Sequence, residues 1–177
     1  LMNNGIKDST GSLVGKTIVF AQRQDHAEHL EKLFIKLYPQ YGARVCKVIH
    51  NKVTRADALI SEFKKSDNQF RIAISVDMLD TGIDVPEIVN LVFARPVKSW
   101  VKFWQMIGRG TRVHETCKMT QLLPNGHKDG FLIIDFWENN FNKAPEKEIA
   151  QSLPVLVSIF NTRLKLLEHF IDDQNAE

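Results

Sequence analysis

Short runs of β-branched and aromatic residues alternate with segments of helical periodicity along this chain. That alternation limits its fold more than any other feature. Residues 16–21 (KTIVFA) read as a buried strand. A helix follows, with Asp25 as its cap and Glu28 as the capping-box partner. Ala27, Leu30, Leu33, Phe34 and Leu37 give that helix one apolar face, and Pro39 ends it. Residues 44–49 (RVCKVI) form a second expected strand. Thr54 caps a helix running to about Lys65, with Ala56, Leu59, Ile60 and Phe63 inward. Residues 70–76 (FRIAISV), 88–94 (IVNLVFA) and 131–136 (FLIIDF) supply further strands, and a helix opens at Ser99 and runs to about Arg109. The order predicts an α/β fold: a parallel sheet with helices on both faces and right-handed crossovers. Ligands of such sheets sit outside the carboxyl ends of the strands, so the loops after Ala21, Ile49, Val76 and Ala94 come first.

The pattern changes after Phe136. Ala144-Pro145 breaks the chain, Pro154 suits a first helical turn, and Leu156, Ile159, Phe160, Leu164, Leu167 and Ile171 follow at helical spacing. The expected organisation is a flexible linker over 1–14, the α/β domain over 15–140 and a helical extension over 141–177. With 177 residues, 44% hydrophobic and 25% charged, the chain has the composition of a globular domain and not of a collagen, a coiled coil or a disordered segment. No apolar run reaches the roughly 18 residues of a membrane span. The opening LMNNGIKDSTGSL has neither the basic nor the apolar region of a signal peptide. Cys46 and Cys117 have no CxxC or Cys/His cluster around them, so they suggest neither zinc nor a disulfide and fit a reducing cytosol. A chain that starts at Leu1 with a polar stretch is expected to be a piece of a longer protein.

A net charge of +2 hides a local excess. Between positions 95 and 128, Arg95, Lys98, Lys102, Arg109, Arg112, Lys118 and Lys128 stand against Glu115 alone. Such a stripe suggests an anionic partner, a nucleotide or nucleic-acid phosphate, or else plain surface charge. Gly15-Lys16-Thr17 imitates the end of a phosphate-binding GxxxxGK[ST] loop. Thr10 stands where its first Gly belongs and a strand follows instead of a helix, so the triplet reads as a turn into the strand. Glu62-Phe63-Lys64 imitates a nuclease metal site but lies on an amphipathic helix. Residues 75–86 (SVDMLDTGIDVP) end a strand in an Asp/Gly-rich loop. There Gly82 permits close backbone approach, Asp84 suits a ribose hydroxyl, and Ser75 and Thr81 suit a nucleic-acid phosphate; an ordinary turn has the same composition. Residues 105–112 (QMIGRGTR) carry the strongest signal. If the helix persists, Arg109 and Arg112 share one face and converge on one anion, for which the guanidinium fork is suited. Gly108 and Gly110 would clear space beside Arg109 for a ligand or a second domain. The alternative is a solvated helix end.

SVDMLDTGIDVP followed by QMIGRGTR resembles motifs V and VI of superfamily 2 helicases and translocases, and KTIVFAQRQDHAEHL resembles motif IV of the same second RecA-like lobe. Together with DGFLIIDF, these segments are most similar to the R subunit of type I restriction–modification enzymes. The resemblance covers about residues 16–136 and implies a RecA-like, P-loop NTPase-type lobe with a helical appendage. It implies that Arg109 and Arg112 reach the γ-phosphate of ATP as arginine fingers. Gln105 would bond near the nucleotide or couple motif VI to motif V, and Gly82 and Asp84 would face the nucleotide. Thr81, Ser75, Gln22 and Arg23 would face the DNA backbone, and His50 and Asn51 the tracked strand. As a lone histidine, His50 also reads as a structural loop residue. Val76 departs from the pattern, standing where many relatives place a phosphate-contacting Thr.

The implied cofactors are ATP and Mg2+, held mainly by a first lobe whose P-loop and DExx box are absent from this sequence; no metal ligand is expected here. The implied partners are double-stranded DNA, the first RecA-like lobe and nuclease domain, and methylase and specificity subunits, in the cytoplasm and with no membrane. The whole would be an ATP-dependent translocase and type I site-specific deoxyribonuclease, and this chain alone would neither hydrolyse ATP nor move on DNA. Another superfamily 2 DNA or RNA helicase, or a non-catalytic RecA-like binding module, remains open.

Overall fold

A computed structural model of the chain describes residues 1–50, 56–65, 69–79 and 84–139. Five parallel strands form one sheet: β1 (Lys16–Phe20), β2 (Cys46–Ile49), β3 (Ile72–Ser75), β4 (Ile88–Phe93) and β5 (Leu132–Asp135), in the order β2-β3-β1-β4-β5. Phe20 aligns with Ser75 on one side and Phe93 on the other, and Phe93 aligns with Asp135. The strands therefore end together at one carboxyl edge. The inner strands β1, β3 and β4 are buried along their whole length. That burial on both faces is why they read as continuous apolar runs and not as alternating ones.

Side chains alternate between two cores. Ile18, Phe20, Ala73, Leu91 and Phe93 meet Phe63 of α3 (Ala56–Lys64) and Phe103, Met106 and Ile107 of α4 (Trp100–Ile107). Val19, Ile74, Val92, Cys46 and Val48 meet Ala27, Leu30 and Phe34 of α1 (Gln24–Leu37). Helices thus cover both faces of the sheet, as the sequence pattern predicts. The helical extension over 141–177, and the Thr54 cap, lie outside the described residues.

Four local readings change. Helix α1 starts at Gln24, with Arg23 as a cap whose side chain makes no capping bond. Asp25 therefore sits inside the first turn, where its charge still favours the helix end, and Glu28 accepts from Gln24 Nε2 at 2.8 Å. Residues 44 and 45 belong to a short helix, α2 (Gly42–Val45), and the strand begins at Cys46. Gly42 turns the chain there with φ +56, a conformation that favours glycine. Ser99 does cap α4, its Oγ accepting from Lys102 N at 3.3 Å, but the helix closes at Ile107 and not at Arg109. Arg109 N and Gly110 N bond back three residues, to Met106 O and Ile107 O, which tightens the end into a turn.

The fourth change concerns the expected linker over 1–14, which is fixed to the sheet. Ile6 N donates to Asn90 Oδ1 at 2.8 Å, Asn90 Nδ2 returns to Ile6 O at 3.0 Å, and Lys7 bridges Val14 in antiparallel fashion. Val14 is fully buried. The buried amide of Asn90 needs partners, and the N-terminal backbone supplies them.

Gly15-Lys16-Thr17 proves to be a structural device. A Cβ on Gly15 would lie 2.4 Å from Val89 Cγ2, so the strand entry needs glycine. Lys16 turns inward and is fully buried, its Nζ donating to Phe63 O (2.5 Å), Phe70 O (2.8 Å) and Lys65 O (3.3 Å). Burial, with Arg71 nearby, pulls its pKa down to about 7. This lysine pins the end of α3 to the start of β3, and no phosphate could reach it.

Candidate functional site

The residues singled out by the sequence divide between the two ends of the sheet. Strand β4, with six residues, separates these ends by about 20 Å. Asp84 lies just before β4, and Phe131 just before β5, at the amino end. Helix α4 leaves the carboxyl end at Ser99 and delivers Arg109 and Arg112 back to the amino end.

At that amino end the structure brings two of the candidates together. Arg112 Nε donates to Asp84 Oδ1 at 3.0 Å, across 28 positions of sequence. Both side chains are more than half exposed, at 51% and 67%. Such a pair is worth about 0.2–1 kcal/mol, so it aims the guanidinium without locking it. Arg109 does not share a helix face with Arg112, because the helix has already ended. Its Nε bonds Gln105 O at 3.3 Å, and the Gln105 side chain is exposed on α4. The two arginines instead lie on one turn and the extended segment after it. Gly110 has a packing reason: a Cβ there would fall 2.4 Å from the Phe131 ring. It lets the turn close on Phe131, just before β5.

The long connection from Gly108 to Phe131 is fastened beneath this turn. Buried Glu87 accepts from Lys118 N (2.8 Å) and Met119 N (3.2 Å), and Lys128 Nζ donates to Pro86 O at 2.7 Å. Burial holds the Lys128 pKa below its ordinary value. The rings of His114 and His127 stack with centroids 3.9 Å apart. Between the 110–115 and 127–131 segments lies an open hollow of about 490 Å³, with Arg112 on its wall.

The basic stripe is smaller than its sequence. Arg95 and Lys128 are buried, and Arg95 and Lys102 both turn to Asp77 Oδ1, at 2.8 and 3.0 Å. Asp77 adopts φ +57, rare for a residue other than glycine, and its bond from Arg95 holds its carboxyl below the usual carboxylate range. Three of the seven cations, Arg95, Lys102 and Lys128, thus serve the fold.

At the carboxyl end, Gln22 and Arg23 are exposed after β1, with Arg23 paired to Asp25 at 3.3 Å. Ser75 and His50 are not on that surface. Ser75 is 1% exposed and its Oγ accepts from Leu79 N at 2.9 Å, so it shapes the loop from below. His50 is 5% exposed, buried at the end of β2. Burial suits Ser75 to a structural role, and His50 to the structural reading its sequence context also allows. Thr81, Gly82 and Asn51 lie outside the described residues. The aromatic pair Phe136 and Trp137 stands exposed at this end, with no sequence signal beyond its place after FLIIDF.

Residues 6–114 match the family described as helicase conserved C-terminal domain. The chain belongs to that family. Among curated relatives, the helicase C-terminal domain here is 35% identical over 136 residues to the type I restriction enzyme EcoKI endonuclease subunit of Escherichia coli K12, covering 72% of this chain and 11% of that protein. It is 32% identical over 105 residues to the EcoAI endonuclease subunit of Escherichia coli, covering 56% of this chain and 13% of that one. The chain thus spans about an eighth of these relatives or less. The fold matches domain 2 of the DEAD-box helicase Mss116p, solved on an RNA duplex, with TM-score 0.50 at 19% identity over 68% of this chain and 41% of that one. The helicase C-terminal domain is therefore a RecA-like lobe, and the family match begins within the segment expected to be a linker. Among the described residues, no helix is long and apolar enough to cross a membrane.

Proposed function

We propose that this lobe is the second motor lobe of an ATP-dependent DNA translocase, part of a type I restriction endonuclease subunit. The observation that carries the reading is the Asp84–Arg112 pair: an exposed guanidinium held beside a hollow by a solvated partner. Its residues suit a nucleotide phosphate. Arg112 can exchange one carboxylate oxygen for phosphate oxygens at little cost, because the pair it leaves is solvated. The nucleotide, with Mg2+, supplies the phosphoryl group whose cleavage drives the motor. Its remaining partners belong to a first RecA-like lobe outside this sequence. Arg109 and Arg112 neutralise charge developing on the transferring group, a role worth about 10³–10⁵ in turnover where arginine fingers act. Gly82 and Asp84 face the nucleotide from motif V, and Gln105 couples the helix to it.

Gln22 and Arg23, with Thr81 and Asn51, face the backbone of double-stranded DNA. Backbone contacts make binding independent of sequence and sensitive to salt. The whole enzyme works in the cytoplasm with a nuclease domain and with methylase and specificity subunits. Residues 141–177 begin a helical region after the motor.

The test is Arg112→Lys in the full-length motor. Charge is kept and the fork is lost, so turnover falls while ATP affinity changes little. Wild-type turnover would make Arg112 structural. The 177-residue chain alone is expected to show no DNA-stimulated ATP hydrolysis, and hydrolysis abolished by Arg109→Ala would overturn that.

A further inference from the structure

The carboxyl end of the sheet holds an aromatic platform that the helicase motifs do not use. Phe136 and Trp137 directly follow β5 and are 68% and 53% exposed. The turn that carries them is tightly built. Asp135 accepts from Trp137 N (3.0 Å), Asn139 N (2.7 Å) and Asn139 Nδ2 (2.8 Å). Asn139 is buried, accepts from Val97 N at 2.7 Å and donates to Arg95 O at 3.3 Å. A large indole held in water on a fixed turn marks a contact surface.

Trp137 shares an open hollow of about 490 Å³ with Gln22, Arg23, Asp25, His26 and His29. Gln22 N donates to His26 Nδ1 at 3.4 Å. The hollow therefore joins the indole of Trp137 to the side-chain N–H donors of Arg23 and Gln22. Asp25 is the one carboxylate, and it is engaged by Arg23. A nucleotide has the complementary shape: a base to lie on the indole and a phosphate to meet the donors.

We propose that Trp137 stacks on an unpaired base of the nucleic-acid strand whose backbone passes Gln22 and Arg23. The inference rests on the reading of this end as a nucleic-acid face, and it adds that the strand is locally single. A paired base keeps both faces inside its own stack and leaves none for the indole.

Fluorescence anisotropy at low salt, with the 177-residue chain and a labelled oligothymidine or a duplex of equal length, tests it. Trp137→Leu weakens oligothymidine binding by about tenfold, the scale of one base–aromatic stack, and leaves duplex binding unchanged. Trp137→Phe restores most of the loss, and Trp104→Leu, on α4, has no effect. Oligothymidine also quenches tryptophan emission in the wild type and not in Trp137→Leu. Equal oligothymidine affinity for wild type and Trp137→Leu overturns the platform and leaves the nucleic-acid face standing. No binding of either probe by the wild-type chain overturns both.

Discussion

Two charged pairs, one at each end of the sheet, are held in opposite ways. At the amino end, Arg112 meets Asp84 in an exposed pair on an extended segment. At the carboxyl end, Arg95 is buried, bonds Asp77 and belongs to a network continued by Asn139 and Asp135. The contrast separates two jobs. On the proposed function, the group that swaps its partner for a phosphate is the one held weakly and in solvent. A group that must fix the shape of a loop is buried and bonded. Counting cations along the sequence treats Arg95 and Arg112 alike, and only burial tells them apart.

The contrast is broken first at the arginines. The double variant Arg109→Ala/Arg112→Ala in the full-length motor should lower DNA-stimulated turnover by about 10³ or more, with stability of the lobe nearly unchanged. Steady-state ATPase assays and a melting curve check both halves. A parallel fall in melting temperature would place these arginines with the buried group.

Lys16→Met comes next. The buried Nζ serves three carbonyls, and leaving even one unsatisfied costs about 1–3 kcal/mol. Urea unfolding should show that loss. The pH dependence sharpens it. Unfolded Lys16 holds its proton up to about pH 10.5 and folded Lys16 only to about 7, so the unfolded state binds more protons between these values. The contribution of Lys16 to stability therefore rises with pH above 7, by at most about 1.4 kcal/mol per unit. Above pH 9, Cys46 opposes it. Burial pushes that thiol up to about 12, so the unfolded state loses the proton first. Wild type should gain on Lys16→Met between pH 7 and 9, and parallel curves would refute the link.

Gly110→Ala should cost about 1–3 kcal/mol through the Phe131 ring, a strain read in the same unfolding assay. The smallest effect is expected of Asp84→Ala, within about 0.5 kcal/mol of stability, because its pair is solvated. A larger loss would show that the Arg112 pair belongs with the locked groups.

The sheet was legible because β1, β3 and β4 are buried on both faces and write themselves as apolar runs. The helices were legible by their periodicity. Their ends were not, since Arg23 and Gly108 end helices through backbone geometry and not through a capping side chain. The arginine motif implied a shared helix face for Arg109 and Arg112 only if the helix persisted, and the helix stops at Ile107. The burial of Ser75 and His50 was not legible, because a polar residue at a strand end carries no mark of burial in the sequence. Asn90 binds the N-terminal segment through an amide that sequence shows only as a polar residue inside a strand. Asp77 was visible as one aspartate of a loop, while its positive φ and its two cations exist only in three dimensions.

The separation of the two ends is tested most directly by comparing Arg112→Ala with Gln22→Ala/Arg23→Ala in the full-length motor, measuring ATP hydrolysis against DNA concentration. The first should lower the plateau rate and leave the half-saturating DNA concentration unchanged. The second should raise that concentration and leave the plateau unchanged. If both variants shift the same parameter, the assignment of nucleotide to the amino end and DNA to the carboxyl end is wrong.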